Sequence, residues 1–136
     1  MTNREIDQVV ENLIKEAGSS RLDDIISSQN ITLKTYTGKS FYIKNENKKY
    51  IFLDTKLEEE ARDFALAHEL GHAILHTAEI SQSFVYRRIS QQTENEANYF
   101  AYKLLGLEID PAYNYTIDQY ARQLRVSEDT IKYLYE

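Results

Sequence analysis

The sequence contains no cysteine, and it has only one proline and four glycines among 136 residues. The absence of cysteine excludes disulfide bonds and thiolate metal sites, so a bound metal must be held by His, Asp or Glu. A chain of this size without disulfides is typical of the cytoplasm, which is the predicted location. Because Gly and Pro residues are so few, the chain has few points where a domain boundary is expected, and we predict one domain covering residues 1–136.

Long apolar runs and an excess of basic residues are missing as well. The most apolar stretch, residues 64–75, includes two histidines and a glutamate and is too short to cross a membrane. The first residues lead into a polar helical pattern and not into an apolar signal region, so neither a targeting segment nor a membrane partner is expected. The net charge of -6 argues against broad binding to nucleic-acid phosphates, which requires clustered Lys and Arg.

Periodicity predicts two helices at the start of the chain. In residues 3–17 the apolar side chains recur on one face at helical spacing. Thr2 and Glu5 suit a capping box, and Gly18 stands where this helix should end. A shorter helix is predicted over residues 22–28.

The pattern then changes to short β-prone segments. Residues 31–36 alternate, residues 41–43 and 50–53 are short β-prone runs, and residues 45–47 form a turn between the last two. We therefore expect a small antiparallel sheet of about three strands. Together with the flanking helices, this sheet predicts the α+β class.

Helices are predicted for most of the remaining chain. The first begins near Leu57, with Thr55 and Glu58 as a second capping box, and continues to about Thr77. The later predictions are a loop over residues 78–92 with a short strand at 84–86, a helix after Thr93 that ends at Gly106, and a C-terminal helical segment, 116–135, with short helices after Thr116 and Ser127.

The sequence HELGH at residues 68–72 lies within the helix that begins near Leu57. Residues four apart share a helix face, so His68 and His72 can direct two imidazole nitrogens at one ion. Glu69 follows the first histidine, where its carboxylate can reach water on the open side of the metal without binding the ion. We predict a zinc (Zn²⁺) centre with Glu69 as the general base for a metal-activated water. His and Glu ligands suit zinc better than manganese or iron.

Two glutamates on the following predicted helix are candidates for the third metal ligand. Glu96 stands three residues after Thr93, which suits a capping box. Glu94 stands one helical turn before Asn98, whose amide could hydrogen-bond a ligand. On this basis Glu94 is favoured over Glu96.

Other polar side chains near the motif are given lesser roles. His76 lies one further turn beyond His72, and a helix curves too little to bring three consecutive turns onto one ion. His76 is therefore interpreted as structural or located at the rim. Several of the tyrosines could stabilise an oxyanion, with none preferred, among them Tyr86, Tyr99, Tyr102 and Tyr113.

Residues 64–76, FALAHELGHAILH, closely resemble the core motif of the ImmA/IrrE family of metallopeptidases, and residues 94–101, ENEANYFA, resemble its second motif, E-x-x-A-N-x-F-A. The resemblance covers about residues 40–105. It implies a minimal zincin-like core, with Glu94 as the third zinc ligand, in a cytoplasmic protease often carried by phages and mobile elements. Several members act on helix-turn-helix repressors, so the predicted function is a zinc-dependent endopeptidase whose partner is such a transcriptional repressor.

One segment departs from the family pattern. The family usually follows the second motif with a Leu-Leu-Met-Pro-like segment, whereas residues 104–111 read LLGLEIDP, with the proline displaced and the methionine absent. This departure concerns the wall of the cleft and the substrate, and it leaves the metal ligands unchanged.

The C-terminal helical segment supports an alternative function. Residues 117–131 have the apolar spacing of a helix-turn-helix, with Ser127 as the cap of the second helix, which suits a DNA-binding regulator. Glu128 and Asp129 would repel phosphates, so packing against the peptidase core is preferred and nucleic-acid binding is not expected. A protein-binding regulator with a non-catalytic metal site is the other alternative, and the intact Glu69 argues against it.

The predicted sheet also suggests how a peptide substrate binds. If Tyr50–Leu53 is an edge strand beside the metal-binding helix, a peptide can add to it as a further strand. Main-chain hydrogen bonds would then place the scissile carbonyl near the metal.

Overall fold

The computed structural model describes residues 1–76, 90–112 and 114–135. Within them the fold is of the predicted α+β class, and none of the helices is long and apolar enough to cross a membrane. The elements are α1 (Asn3–Ala17), α2 (Leu22–Ser28), β1 (Ile31–Tyr36), β2 (Phe41–Asn45), β3 (Lys48–Asp54), α3 (Glu59–Leu75), α4 (Gln91–Leu104), α5 (Ile117–Leu124) and α6 (Glu128–Tyr135). The predicted strand at 84–86, the loop residues 78–89 and the predicted helix end at Thr77 lie outside the described residues.

Helix α1 begins and ends where its sequence predicts. The Thr2 hydroxyl accepts a hydrogen bond from the Glu5 backbone N–H, and the Glu5 carboxylate accepts one from the Thr2 N–H, which is the predicted capping box. Gly18 ends the helix with a φ of 69°, a left-handed conformation that costs glycine little because it has no Cβ. The apolar face is buried in the core through Ile6, Val10 and Leu13.

The sheet has the strand order β1-β3-β2, and its pairing is mixed. β2 and β3 form the expected antiparallel hairpin, whereas β1 pairs with β3 in parallel, so the prediction of an antiparallel sheet was only partly right. Ile51 lies opposite Leu33 on one side and Tyr42 on the other. Because β2 reverses the direction of β1 and the hairpin reverses it again, β3 runs in the direction of β1 and pairs with it.

The position of β3 contradicts the prediction that Tyr50–Leu53 forms an edge strand. β3 is the central strand, and its residues Ile51 and Leu53 are fully buried. Because a central strand is hydrogen-bonded on both sides, a substrate peptide cannot add to it. β2 is an edge strand of the sheet, and it packs against α3. Apolar alternation does not distinguish the two positions, which is the reason for the error.

Helix α3 begins after a different cap from the one predicted. Its N-cap is Glu58, whose side chain makes no capping hydrogen bond, so the predicted capping box of Thr55 and Glu58 is wrong. In the preceding turn the Asp54 carboxylate accepts a hydrogen bond from the Lys56 N–H. This local aspartate turn keeps the chain non-helical up to the start of α3.

Helix α4 begins earlier than predicted. The Ser90 hydroxyl accepts a hydrogen bond from the Thr93 backbone N–H, so Ser90 is the N-cap and Gln91 the first helical residue. The predicted start after Thr93 is therefore wrong, and Glu96 has no capping role. The Glu96 carboxylate is therefore available for a contact with another part of the protein.

Helices α3 and α4 approach each other closely at Gly71. A Cβ added there would lie 3.1 Å from Phe100 Cδ1 and 3.3 Å from both the Cα and the carbonyl oxygen of Ala97. Ala97 and Phe100 are fully buried, so α4 cannot move away without opening the core. The close approach holds α4 against the HELGH turn of α3.

We expect Gly71→Ala to destabilise the protein despite the better helix propensity of alanine. The propensity gain is at most about 1 kcal/mol, whereas overpacking a rigid core costs about 1–3 kcal/mol. Since the added Cβ presses on the Ala97 backbone, it should also displace α4 and weaken metal binding. Urea unfolding of the metal-free protein and a zinc titration measure the two effects. Equal or greater stability with unchanged zinc affinity would show that the two helices are not tightly packed here.

Helices α5 and α6 pack on α3 and α4, respectively. Ser127 caps α6 as predicted, since its hydroxyl accepts a hydrogen bond from the Thr130 N–H. Arg125 ends α5 with a φ of 59°, in the left-handed region. The side chains buried in this packing are Tyr120, Ala121, Leu124, Ile131 and Leu134.

Candidate metal centre

Two histidines on α3 direct ring nitrogens at the same point. His68 and His72 lie one helical turn apart, with their Nε2 atoms separated by 3.2 Å. Helical spacing produces this arrangement, since residues four apart share a face. Burial lowers the pKa of His72, which favours the neutral imidazole that binds metals.

Glu94 on α4 brings a carboxylate to that point. Its Oε1 lies 2.8 Å from His72 Nε2, and its Oε2 lies 3.3 Å from His68 Nε2. One donor atom from each of the three side chains lies within 4.8 Å of the others. Burial alone would raise the pKa of Glu94, but hydrogen bonds from His68 and His72 outweigh it and lower that pKa well below its usual range.

Both imidazoles have a partner on their second ring nitrogen. Asn98 Oδ1 lies 2.7 Å from His68 Nδ1, and His76 Nδ1 lies 3.3 Å from His72 Nδ1. Because the amide oxygen of Asn98 can only accept, His68 donates a hydrogen bond to it from Nδ1, and Nε2 is the nitrogen that a metal could bind in place of the contact with Glu94. Asn98 was expected beside a ligand, and the structure places it on His68.

Glu69 lies beside the three donor atoms but is not one of them. Its Oε2 is 4.0 Å from His68 Nε2, and its carboxylate accepts a hydrogen bond from the backbone N–H of Tyr42 on β2. Burial raises the pKa of Glu69 to about 7, although His68, Lys39 and the Tyr42 N–H each lower it. A carboxyl group with a pKa near neutrality can both accept and return a proton.

The other candidate for the third ligand, Glu96, lies elsewhere. Its Oε1 is 2.7 Å from His76 Nε2, and its Oε2 is 2.7 Å from the ammonium group of Met1. Both Glu96 and His76 are buried, so His76 is not at the rim. The structure therefore places Glu94 beside the two histidines and Glu96 behind them. That Glu94 binds the metal stays a prediction.

A cavity of about 610 Å³ borders the donor atoms. His68, Glu69 and Glu94 line it, together with Lys39 from the loop before β2 and Arg125 from the turn between α5 and α6. Lys39 and Arg125 were not predicted, because only tertiary packing brings these distant segments to the cavity. The C-terminal helices thus form one wall of the candidate site.

None of the tyrosines in the described ranges lines this cavity. The Tyr99 hydroxyl donates a hydrogen bond to Asp7 on α1, and Tyr102 lies beside Tyr99 with ring centroids 6.2 Å apart. Burial, followed by Asp7, raises the pKa of Tyr99 to about 12. Tyr86 and Tyr113 lie outside the described residues.

The donor set fits a divalent metal ion. Two imidazole nitrogens and one carboxylate beside an open cavity are the ligands of catalytic metal sites that keep a position for water or substrate. The hydrogen bonds on the second ring nitrogens orient both imidazoles for this purpose. A metal held by His68, His72 and Glu94 would have Glu69 next to it for proton transfer.

Comparison with known proteins relates the chain to one peptidase family. The family model of the IrrE N-terminal-like domain (Peptidase_M78) matches residues 26–134, a range that includes all four side chains of the candidate centre. The chain is also similar to the uncharacterized immunity region protein 2 of Bacillus phage phi105. The two are 32% identical over 106 residues, which cover 74% of this chain and 67% of the phage protein.

Proposed function

Because this chain belongs to the IrrE N-terminal-like (Peptidase_M78) family, we propose that it is a zinc-dependent endopeptidase with Glu69 as its general base. Membership confirms the ImmA/IrrE resemblance predicted from the two motifs, and it implies a metallopeptidase. One observation carries the proposal: the donor atoms of His68, His72 and Glu94 converge beside the buried Glu69 at the edge of a cavity.

The metal is assigned to His68, His72 and Glu94. When bound, such an ion acidifies water and polarises a peptide carbonyl. Two imidazoles and a carboxylate match the preference of zinc better than that of manganese or iron. Asn98 keeps the His68 ring oriented, with its proton on Nδ1.

Glu69 is assigned the proton transfers. The Tyr42 N–H holds its carboxylate beside the donor atoms, where it can accept a proton from the attacking water and return it to the leaving amine. A purely structural metal site closes its fourth position with a protein ligand and does not need this glutamate. We therefore prefer an enzyme over a protein-binding regulator with a non-catalytic metal site.

The C-terminal helical segment is assigned to the peptidase domain, which we take as residues 1–136. The turn from Leu124 to Ser127 lines the cavity, and the apolar face of this segment is packed on α3 and α4. Both observations favour a role of this segment in the substrate cleft over a role in DNA binding. A cytoplasmic location, expected from the lack of cysteine, is part of the same proposal.

The proposed substrate is a helix-turn-helix repressor of a phage or mobile element. The description of the similar phage protein as an immunity region protein supports this choice. Cleavage of the repressor would switch on the genes that it holds silent.

To test this function, zinc-loaded protein is incubated with purified helix-turn-helix repressors from the same genome and, separately, with a degenerate peptide mixture. We expect one repressor to be cut at a single bond, as seen by intact mass spectrometry. Removal of zinc with a chelator should stop the cleavage, and added zinc should restore it. Cleavage of peptides but of no repressor would contradict the proposed substrate only, whereas no cleavage of either would contradict the peptidase itself.

A further inference from the structure

A buried histidine and a buried glutamate lie behind the candidate metal centre and take no part in the proposed proton transfers. His76 is 6% exposed and Glu96 is 8% exposed, and His76 Nε2 lies 2.7 Å from Glu96 Oε1. On its other side, His76 Nδ1 lies 3.3 Å from Nδ1 of His72. The three side chains therefore form a continuous hydrogen-bonded chain that ends on a candidate metal ligand.

We propose that His76 and Glu96 are positioning residues that hold His72 in the orientation and tautomer required for metal binding. This inference rests on the proposed metal site. It assigns a role to His76, the last histidine of the HELGHAILH segment, which the sequence alone left as structural or located at the rim.

The positions of the protons follow from the chemistry of each partner. The carboxylate of Glu96 can only accept, so His76 donates to it from Nε2. A neutral His76 then has a lone pair on Nδ1, which can accept a hydrogen bond from the Nδ1–H of His72. When a metal replaces the hydrogen bond between Nε2 of His72 and Glu94, the remaining proton of His72 is held on Nδ1 by His76. The opposite tautomer of His72 would place a proton where the metal must bind.

The Glu96 carboxylate is well fixed for this role. Besides His76, it is bonded by the Met1 ammonium group at 2.7 Å and by the Gln92 side-chain amide at 3.4 Å. Like Glu94 and Asn98, Glu96 lies on α4. Helix α4 therefore supplies the third candidate ligand, the amide that orients His68 and the carboxylate that holds His76.

The test measures zinc affinity by chelator competition in the wild type, His76→Ala, Glu96→Ala and the double variant. We expect each single variant to bind zinc roughly 10–100-fold more weakly, the usual effect of removing such a partner. Since Glu96 acts through His76, the double variant should bind no more weakly than His76→Ala. Tyr99→Phe, which removes a hydrogen bond from α4 to Asp7 without touching His76 or Glu96, is the matched control and should bind zinc normally.

Two further measurements separate positioning from general damage to the fold. In the zinc-loaded protein the Nδ1 proton of His72 should give a downfield NMR signal that exchanges slowly with water, and in His76→Ala this proton should exchange faster. His76→Gln, whose amide oxygen can accept from His72, should recover part of the lost affinity. If zinc affinity stays within twofold in both alanine variants, or if the two losses add in the double variant, the inference is wrong.

Failure of this inference can be distinguished from failure of the proposed function. A wild-type protein that binds no zinc contradicts the metal site and with it the peptidase. A wild type that binds zinc and cleaves, with alanine variants that bind zinc equally well, contradicts only the positioning role.

Discussion

Glu69→Gln is expected to bind zinc as tightly as the wild type and to cleave its substrate about 10²–10⁴-fold more slowly, the usual contribution of a general base. Glutamine has the same shape, and its amide oxygen can still accept the hydrogen bond from the Tyr42 N–H. The neutral amide of glutamine, however, cannot take up a proton from water. Single-turnover cleavage by metal-loaded enzyme, together with the zinc content of the same sample, measures both properties.

The separation of metal binding from catalysis depends on where Glu69 lies. Its Oε2 is 4.0 Å from His68 Nε2, whereas the Glu94 oxygens are 2.8 and 3.3 Å from the histidine nitrogens. Glu59→Gln is a suitable control, because Glu59 is an exposed glutamate in the first turn of the same helix. Loss of zinc in Glu69→Gln would indicate that Glu69 is a ligand, and full activity would mean that another group is the base.

The helices of the fold were predictable wherever the end signals are local. The Thr2 and Glu5 capping box with Gly18 defines α1 because each partner lies within one turn of the helix end. At α4 two local signals competed, and the Thr93 and Glu96 spacing suggested a cap that Ser90 provides instead. Local capping patterns therefore identify helices more reliably than they identify first residues.

The sheet was predictable only as a set of strands. The turn between β2 and β3 determines their antiparallel pairing, since a two-residue connection allows no other. The parallel pairing of β1 with β3 is not encoded near either strand. It depends on the hairpin folding back beside β1, which is a tertiary event.

The candidate site was likewise predictable only where its residues lie close together in the sequence. His68, Glu69 and His72 could be chosen from sequence because one helical turn determines their relation. The pairing of His76 with Glu96 could not be foreseen, because the two residues belong to different helices and the spacing of Thr93 and Glu96 suggested a cap. Lys39 and Arg125 are brought to the cavity by packing alone.

Glu94→Gln and Glu96→Gln form a matched pair that tests which glutamate of α4 binds the metal. Both changes replace a carboxylate by an amide of the same shape on the same helix. Glu94→Gln removes the proposed anionic ligand, and we expect zinc affinity to fall by at least about 100-fold, beyond the usual effect of an outer partner. Glu96→Gln keeps an oxygen that accepts from His76 Nε2, so its loss should be no more than about 10-fold.

The difference should also be visible in thermal stability, because a ligand that binds only the folded state stabilises it by its binding free energy. Zinc at about 1,000 times its Kd contributes about 4 kcal/mol, and a 100-fold weaker site loses about 2.7 kcal/mol of this. Zinc should therefore raise the Tm of the wild type and of Glu96→Gln clearly, and that of Glu94→Gln only slightly. The reverse order would identify Glu96 as the third ligand and would require its carboxylate to move from His76 to the ring nitrogens of His68 and His72.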